Sequence, residues 1–107
     1  MPIYNKLVRD NILEIIKAQG LKYNAKKLSA DELLVELKTK MIEEAFEFKD
    51  SHSKEEAIEE LADILELIHA SLKAHGANIE ELEEIRKKKK EKRGGFEEAI
   101  FLIDVED

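Results

Sequence analysis

The sequence has no cysteine, no tryptophan and a single proline in 107 residues. Without cysteine there are no disulfides and no thiolate metal ligands, so any metal must be held by oxygen or imidazole. Pro2 is the only proline, so no helix interior is broken. Aromatics make up only 6 %, which leaves a core of mostly Leu, Ile and Ala. No apolar run approaches the roughly 18 residues that cross a bilayer. The opening "MPIYNKLVRD" has charges where a signal peptide needs an apolar stretch, so a cytoplasmic protein with no membrane partner is expected. Positive charge is also short: the formal net charge is -7. Such a chain repels nucleic-acid phosphate and suits the gathering of divalent cations, so no nucleic-acid partner is expected.

What is present is charge and helical signal. Charged residues make up 40 % and hydrophobic ones 43 %, as in a small helical protein with solvated outer faces. Three segments have a small polar residue followed three positions later by Glu, the capping-box pattern that starts a helix: Ser29 with Glu32, Ser53 with Glu56, and Asn78 with Glu81. A fourth start falls at Asp10. Gly20, Gly76 and the "RGG" of Arg93–Gly95 mark stops. Four helices follow, about 10–19, 30–50, 54–75 and 78–92, the middle two joined by "DSHS" and therefore antiparallel neighbours. The expected fold is an all-α antiparallel bundle in one domain, 1–107, with no repeat or linker. A bundle so small and charged often completes its core in an oligomer. The apolar ends "PIYNKLV" and "EAIFLIDV" read as short strands, though "FEEAIFLI" reads equally as a last helical turn.

Projected at about 100° per residue, Leu33, Leu34, Leu37, Met41, Ala45 and Phe48 share one stripe of the second helix. Glu44 lies inside that stripe and Glu47 at its edge. In the third helix Ile58, Leu61, Ile64, Leu65, Leu67, Ile68 and Leu72 form the apolar arc, with Glu60 inside it and Asp63 just outside. The two helices thus share one design, a carboxylate in the apolar arc and another at its rim. On antiparallel neighbours the four acids converge. Clustered carboxylates raise one another's pKa and are costly to bury charged. A hard cation relieves that cost, and carboxylate oxygens suit Mg²⁺ or Mn²⁺. Such a site favours metal-assisted hydrolysis at phosphorus. The competing account is structural: with 25 Asp and Glu, any one "ExxE" is weak evidence, and the acids then serve as interhelical salt-bridge partners in a noncatalytic oligomerisation or nucleotide-sensing module.

Glu44-x-x-Glu47, twelve residues, then Glu60-x-x-Asp63 resembles the signature of the all-α nucleoside triphosphate pyrophosphohydrolases, the superfamily of MazG, dimeric dUTPase and phosphoribosyl-ATP pyrophosphohydrolase. "YNKLVRDNILEII" is similar to the opening "NKLVRDKIPEII" of a small MazG-like branch, and "LKTKMIEEAFEF", "EELADILELI" and "KRGGFEEAIFL" resemble its middle and end. Asn11 and Leu13 depart from that pattern, where the branch usually has Lys and Pro. The resemblance implies Mg²⁺ held by Glu44, Glu47, Glu60 and Asp63. It also implies cleavage between the α and β phosphates with release of pyrophosphate, often as house-cleaning of noncanonical nucleotides, in a homodimer or homotetramer.

A triphosphate also needs cationic contacts. Lys90 and Arg93, in the dense basic stretch "RKKKKEKRGG", are candidates, although cations there also complement the helix macrodipole. Lys6 and Arg9, from the opening block, are the second pair. Glu66-x-x-His69 is one half of a di-iron motif whose other half is missing. His52 and His75 read as surface residues. Phe46, Phe48 and Phe96 suit core packing better than stacking on a base.

Overall fold

A computed structural model describes residues 2–107. Four helices form: α1 (Ile12–Ala18), α2 (Ala30–Lys49), α3 (Lys54–Ala74) and α4 (Ile79–Arg93). The fold is all-α, and no strand is present among the described residues. The chain divides into two compact units, Met1–Gly76 with α1 to α3 and Ala77–Asp107 with α4.

The helix starts follow their polar caps. Ser29 forms the full reciprocal capping box with Glu32, its hydroxyl accepting from the Glu32 N–H while the Glu32 carboxylate accepts from the Ser29 N–H. Those bonds to Ser29 hold the Glu32 carboxyl below its usual pKa. Ser53 and Asn78 each accept from the N–H of the Glu three residues on. The Glu56 carboxylate, however, turns to the His52 N–H at 2.8 Å instead of closing the box. α1 starts two residues later than the Asp10 signal suggests. Asn11 takes the cap position, in helical backbone and with no side-chain cap bond. At its other end Leu21 N–H donates to Ile16 O and Gly20 N–H to Lys17 O, a Schellman closure that needs the left-handed φ of 76° at Gly20.

Within the first unit α2 packs on α3, and the four-residue link from Asp50 to Ser53 makes them antiparallel. The seam is lined by Leu37, the one buried apolar side chain among the described residues, and by half-buried Leu33, Leu34, Met41, Ile64, Leu67, Ile68 and Leu72. The expected apolar arcs are only partly covered. Ala45 and Phe48 are exposed, as are Ile58, Leu61 and Leu65, which share a stripe of α3 turned away from α2. α2 has a second bare stripe, Val35, Ile42 and Phe46, each about 60 % exposed.

In the second unit α4 runs to Arg93, with Gly94 at a φ of 84° ending it. A single turn follows, in which Ala99 N–H donates to Phe96 O. The rest of the tail is irregular, with Phe96, Ile100, Phe101, Leu102, Ile103 and Val105 all exposed. Neither terminal segment is a strand: the described part of each end lacks the ladder partner that a strand requires.

Candidate metal centre

The α2–α3 seam carries acids where it should carry leucines. Helical spacing puts Glu44 two turns after Leu37 and one after Met41 on the face that meets α3, so it is 7 % exposed and nearly as enclosed as Leu37. Glu60 sits among Ile64 and Leu67 on the opposing face and is half-buried. Glu47, one turn past Glu44, is at the exposed rim. One carboxylate oxygen from each of Glu44, Glu47 and Glu60 lies within 4.8 Å of the others.

Enclosure and crowding leave these acids short of partners. Glu44 Oε2 and Glu60 Oε2 are shielded from solvent and accept no hydrogen bond. An ionised oxygen in that state carries an uncompensated desolvation cost. Burial, and then the neighbouring Glu47, push the Glu44 carboxyl up to about 7; Glu60 and Asp63 add to the effect. Glu60 is also raised, chiefly by burial, with the charges of Glu47 and Asp63 contributing. Lys40, one turn before Glu44 on α2, approaches Glu44 Oε1 at 3.7 Å and so compensates one of its two oxygens. The remaining donor set is all oxygen, with no histidine among it, which fits a hard divalent cation.

Asp63 stands apart from the trio. Its Oδ1 accepts from Arg9 Nη2 at 2.6 Å. The same N-terminal segment reaches α2, where Lys6 Nζ lies 3.5 Å from Glu43 Oε1. Asn5, at a φ of 44°, turns the backbone into that segment, a conformation Asn tolerates better than most residues. Two of the four candidate phosphate contacts, Lys6 and Arg9, are therefore tied to acids on the two acid-bearing helices. The other two, Lys90 and Arg93, belong to the second unit. There they line a cavity of about 580 Å³ with Arg86, Lys89, Gly94, Gly95 and Phe96. Arg86 is already forked onto Glu83 at 2.9 and 2.7 Å, which holds the Glu83 carboxyl below its usual range.

Sequence reasoning passed over Lys40 and Glu43. The Lys40-x-x-x-Glu44 spacing was the available signal for the first. For Glu43 there was none, because its partner is 37 residues away in the chain.

An all-α chain with two antiparallel helices, each carrying an acid into their shared seam and another at its rim, has the design of the all-α nucleoside triphosphate pyrophosphohydrolases. The family model for phosphoribosyl-ATP pyrophosphohydrolase matches residues 9–90, most of the chain. The chain belongs to that family. The matched span includes Glu44, Glu47, Glu60 and Asp63, together with Arg9 and Lys90; Lys6 and Arg93 lie outside it. No curated protein and no solved structure matches. Family membership makes pyrophosphohydrolysis of a nucleotide-like substrate the chemistry to explain, and the glutamate cluster provides a place where a metal can bind.

Proposed function

We propose that this chain is a Mg²⁺-dependent nucleoside triphosphate pyrophosphohydrolase that cleaves between the α and β phosphates, giving a monophosphate and pyrophosphate, in a house-cleaning role. The observation that carries this reading is the buried Glu44, with one oxygen lacking any partner, beside Glu47 and Glu60 on the facing helices of a family member. Glu44, Glu47 and Glu60 hold the cation, with Asp63 as the fourth ligand, and Mn²⁺ substitutes for Mg²⁺. When bound, the cation neutralises the acids and polarises the phosphate under attack.

The chain's own groups perform the rest. Glu47, exposed at the rim, accepts a proton from the attacking water as its oxygen bonds to the α phosphorus. The bond to the bridging oxygen breaks, and pyrophosphate leaves with that oxygen. Lys6 and Arg9, which lie in the same unit as the acids, supply cationic contacts to the phosphates. Glu44 and Glu60 are fixed in the helix seam, so the donor set is organised before substrate arrives.

The bare stripes of α2 (Val35, Ile42, Phe46) and α3 (Ile58, Leu61, Leu65) support a homo-oligomer, a dimer or tetramer that covers them. The noncatalytic alternative finds support in the Arg9–Asp63 and Lys40–Glu44 ion pairs, but it leaves Glu44 Oε2 and Glu60 Oε2 unexplained.

The test is incubation with Mg²⁺ and a panel of canonical and modified nucleoside triphosphates, with separate detection of pyrophosphate and orthophosphate. Pyrophosphate with at least one triphosphate is expected. Orthophosphate alone, or no product from any of them, refutes the reading.

A further inference from the structure

Arg9 and Asp63 are 54 residues apart in sequence, yet their 2.6 Å contact is the shortest ion pair among the described residues. It is placed beside a cluster of the opposite sign. Asp63 follows Glu60 by one helical turn on α3, and its charge is felt at both Glu44 and Glu60. Glu47 and Glu60 make no ion pair among the described residues, and Glu44 has only the 3.7 Å approach of Lys40. The shortest cationic contact in this region thus falls on the one candidate ligand that stands outside the glutamate trio. Arg9 is also held loosely: its side chain is 58 % exposed and Asp63's is 39 %, so the pair can part at little cost.

We propose that Arg9 is an exchangeable counter-ion of the site. It holds Asp63 while no divalent cation is bound, and it moves to a substrate phosphate once Asp63 is engaged as a ligand. This deepens the proposed function and rests on it. The exchange balances charge: Asp63 gives up a guanidinium and gains a share of the cation, while Arg9 gives up a carboxylate and gains a phosphate. Arginine suits both partners, since its planar fork matches carboxylate and phosphate alike.

The consequence is two effects of opposite sign from one substitution. In Arg9→Gln, Asp63 is free before any cation arrives. Affinity for Mg²⁺ alone, measured by calorimetry without nucleotide, should rise roughly two- to fivefold, which is what a partly exposed ion pair can withhold. Affinity for inorganic pyrophosphate at saturating Mg²⁺ should fall about tenfold, the worth of a charged hydrogen-bonding contact. Arg9→Lys keeps the charge and should stay near wild type for Mg²⁺ while recovering only part of the pyrophosphate affinity. A purely structural Arg9 would weaken both affinities together, and that result, or unchanged Mg²⁺ affinity in Arg9→Gln, overturns the exchange. If Arg9→Gln unfolds, the split shown by Arg9→Lys decides. Wild-type protein that binds Mg²⁺ and releases pyrophosphate, combined with a failed split, refutes the exchange alone. Wild-type protein that does neither refutes the proposed function and the exchange together.

Discussion

Glu44→Gln separates the cost of the acid cluster from its use. The substitution keeps the shape of the side chain and removes its charge at a position 7 % exposed. In wild type the carboxyl rises from 4.5 to about 7 on folding. At about 1.4 kcal/mol per pH unit, keeping it ionised at pH 8 costs the folded state about 3 kcal/mol. The amide must still find partners for its own polar atoms, so a net gain of about 2 kcal/mol is expected in EDTA at pH 8. For a chain of this length that is a rise in melting temperature of about 8 °C. Near pH 4 the wild-type carboxyl is protonated in both states, and the gain should vanish. Added Mg²⁺ should raise the melting temperature of wild type and leave Glu44→Gln unmoved, because only wild type can bind the ion. Pyrophosphate release should fall at least a hundredfold. Thermal unfolding at both pH values, with EDTA and with Mg²⁺, reads all of this. A Glu44→Gln protein no more stable than wild type in EDTA at pH 8, or Mg²⁺ stabilising both equally, would mean that the buried charge is not what burdens the fold.

The same proton gives a pH profile. The folded-state pKa of Glu44 lies above its unfolded value, so the associated stability is complete below about pH 4.5 and lost as pH rises through about 7. Wild type in EDTA should therefore lose about 2–3 kcal/mol between pH 5 and pH 8 in urea titrations, and saturating Mg²⁺ should flatten that slope; a slope unaffected by Mg²⁺ contradicts the account. Leu37→Ala truncates the one buried apolar side chain among the described residues and should cost about 3 kcal/mol, measurable as a lower urea midpoint with an unchanged m-value. Ser29→Ala breaks the one complete capping box among the described residues and should cost about 1 kcal/mol by the same titration. Ile42→Glu places a charge on the bare α2 stripe, and sedimentation should show a smaller assembly than wild type; an unchanged mass would mean that stripe is not the interface.

How much of this was readable in the sequence depends on distance along the chain. Helix boundaries are local, and Ser29, Ser53 and Asn78 mark their starts to within a residue because each cap bond spans only three positions. The enclosure of Glu44 was likewise legible, since helical period alone aligns it with Leu37 and Met41. Where periodicity failed, it failed for a physical reason. A wide apolar arc says that a face wants cover but not which half of it a neighbour reaches, so Ile58, Leu61 and Leu65 read as core and are exposed. "FLIDV" has strand composition, but a strand needs a partner ladder, and composition does not supply one. The Arg9–Asp63 pair spans 54 residues, and such a distant contact has no signature in the sequence. Helical spacing puts Asp63 one turn from Glu60, but it does not reveal the guanidinium that meets it.

Whether a divalent ion sits among Glu44, Glu47 and Glu60 can be read from anomalous diffraction by crystals grown with Mn²⁺. A strong peak is expected within coordination distance of carboxylate oxygens from all three glutamates, with Asp63 turned toward it and away from Arg9. A map with no peak there, and with Glu44 and Glu60 paired to lysine or arginine, would rule the metal site out.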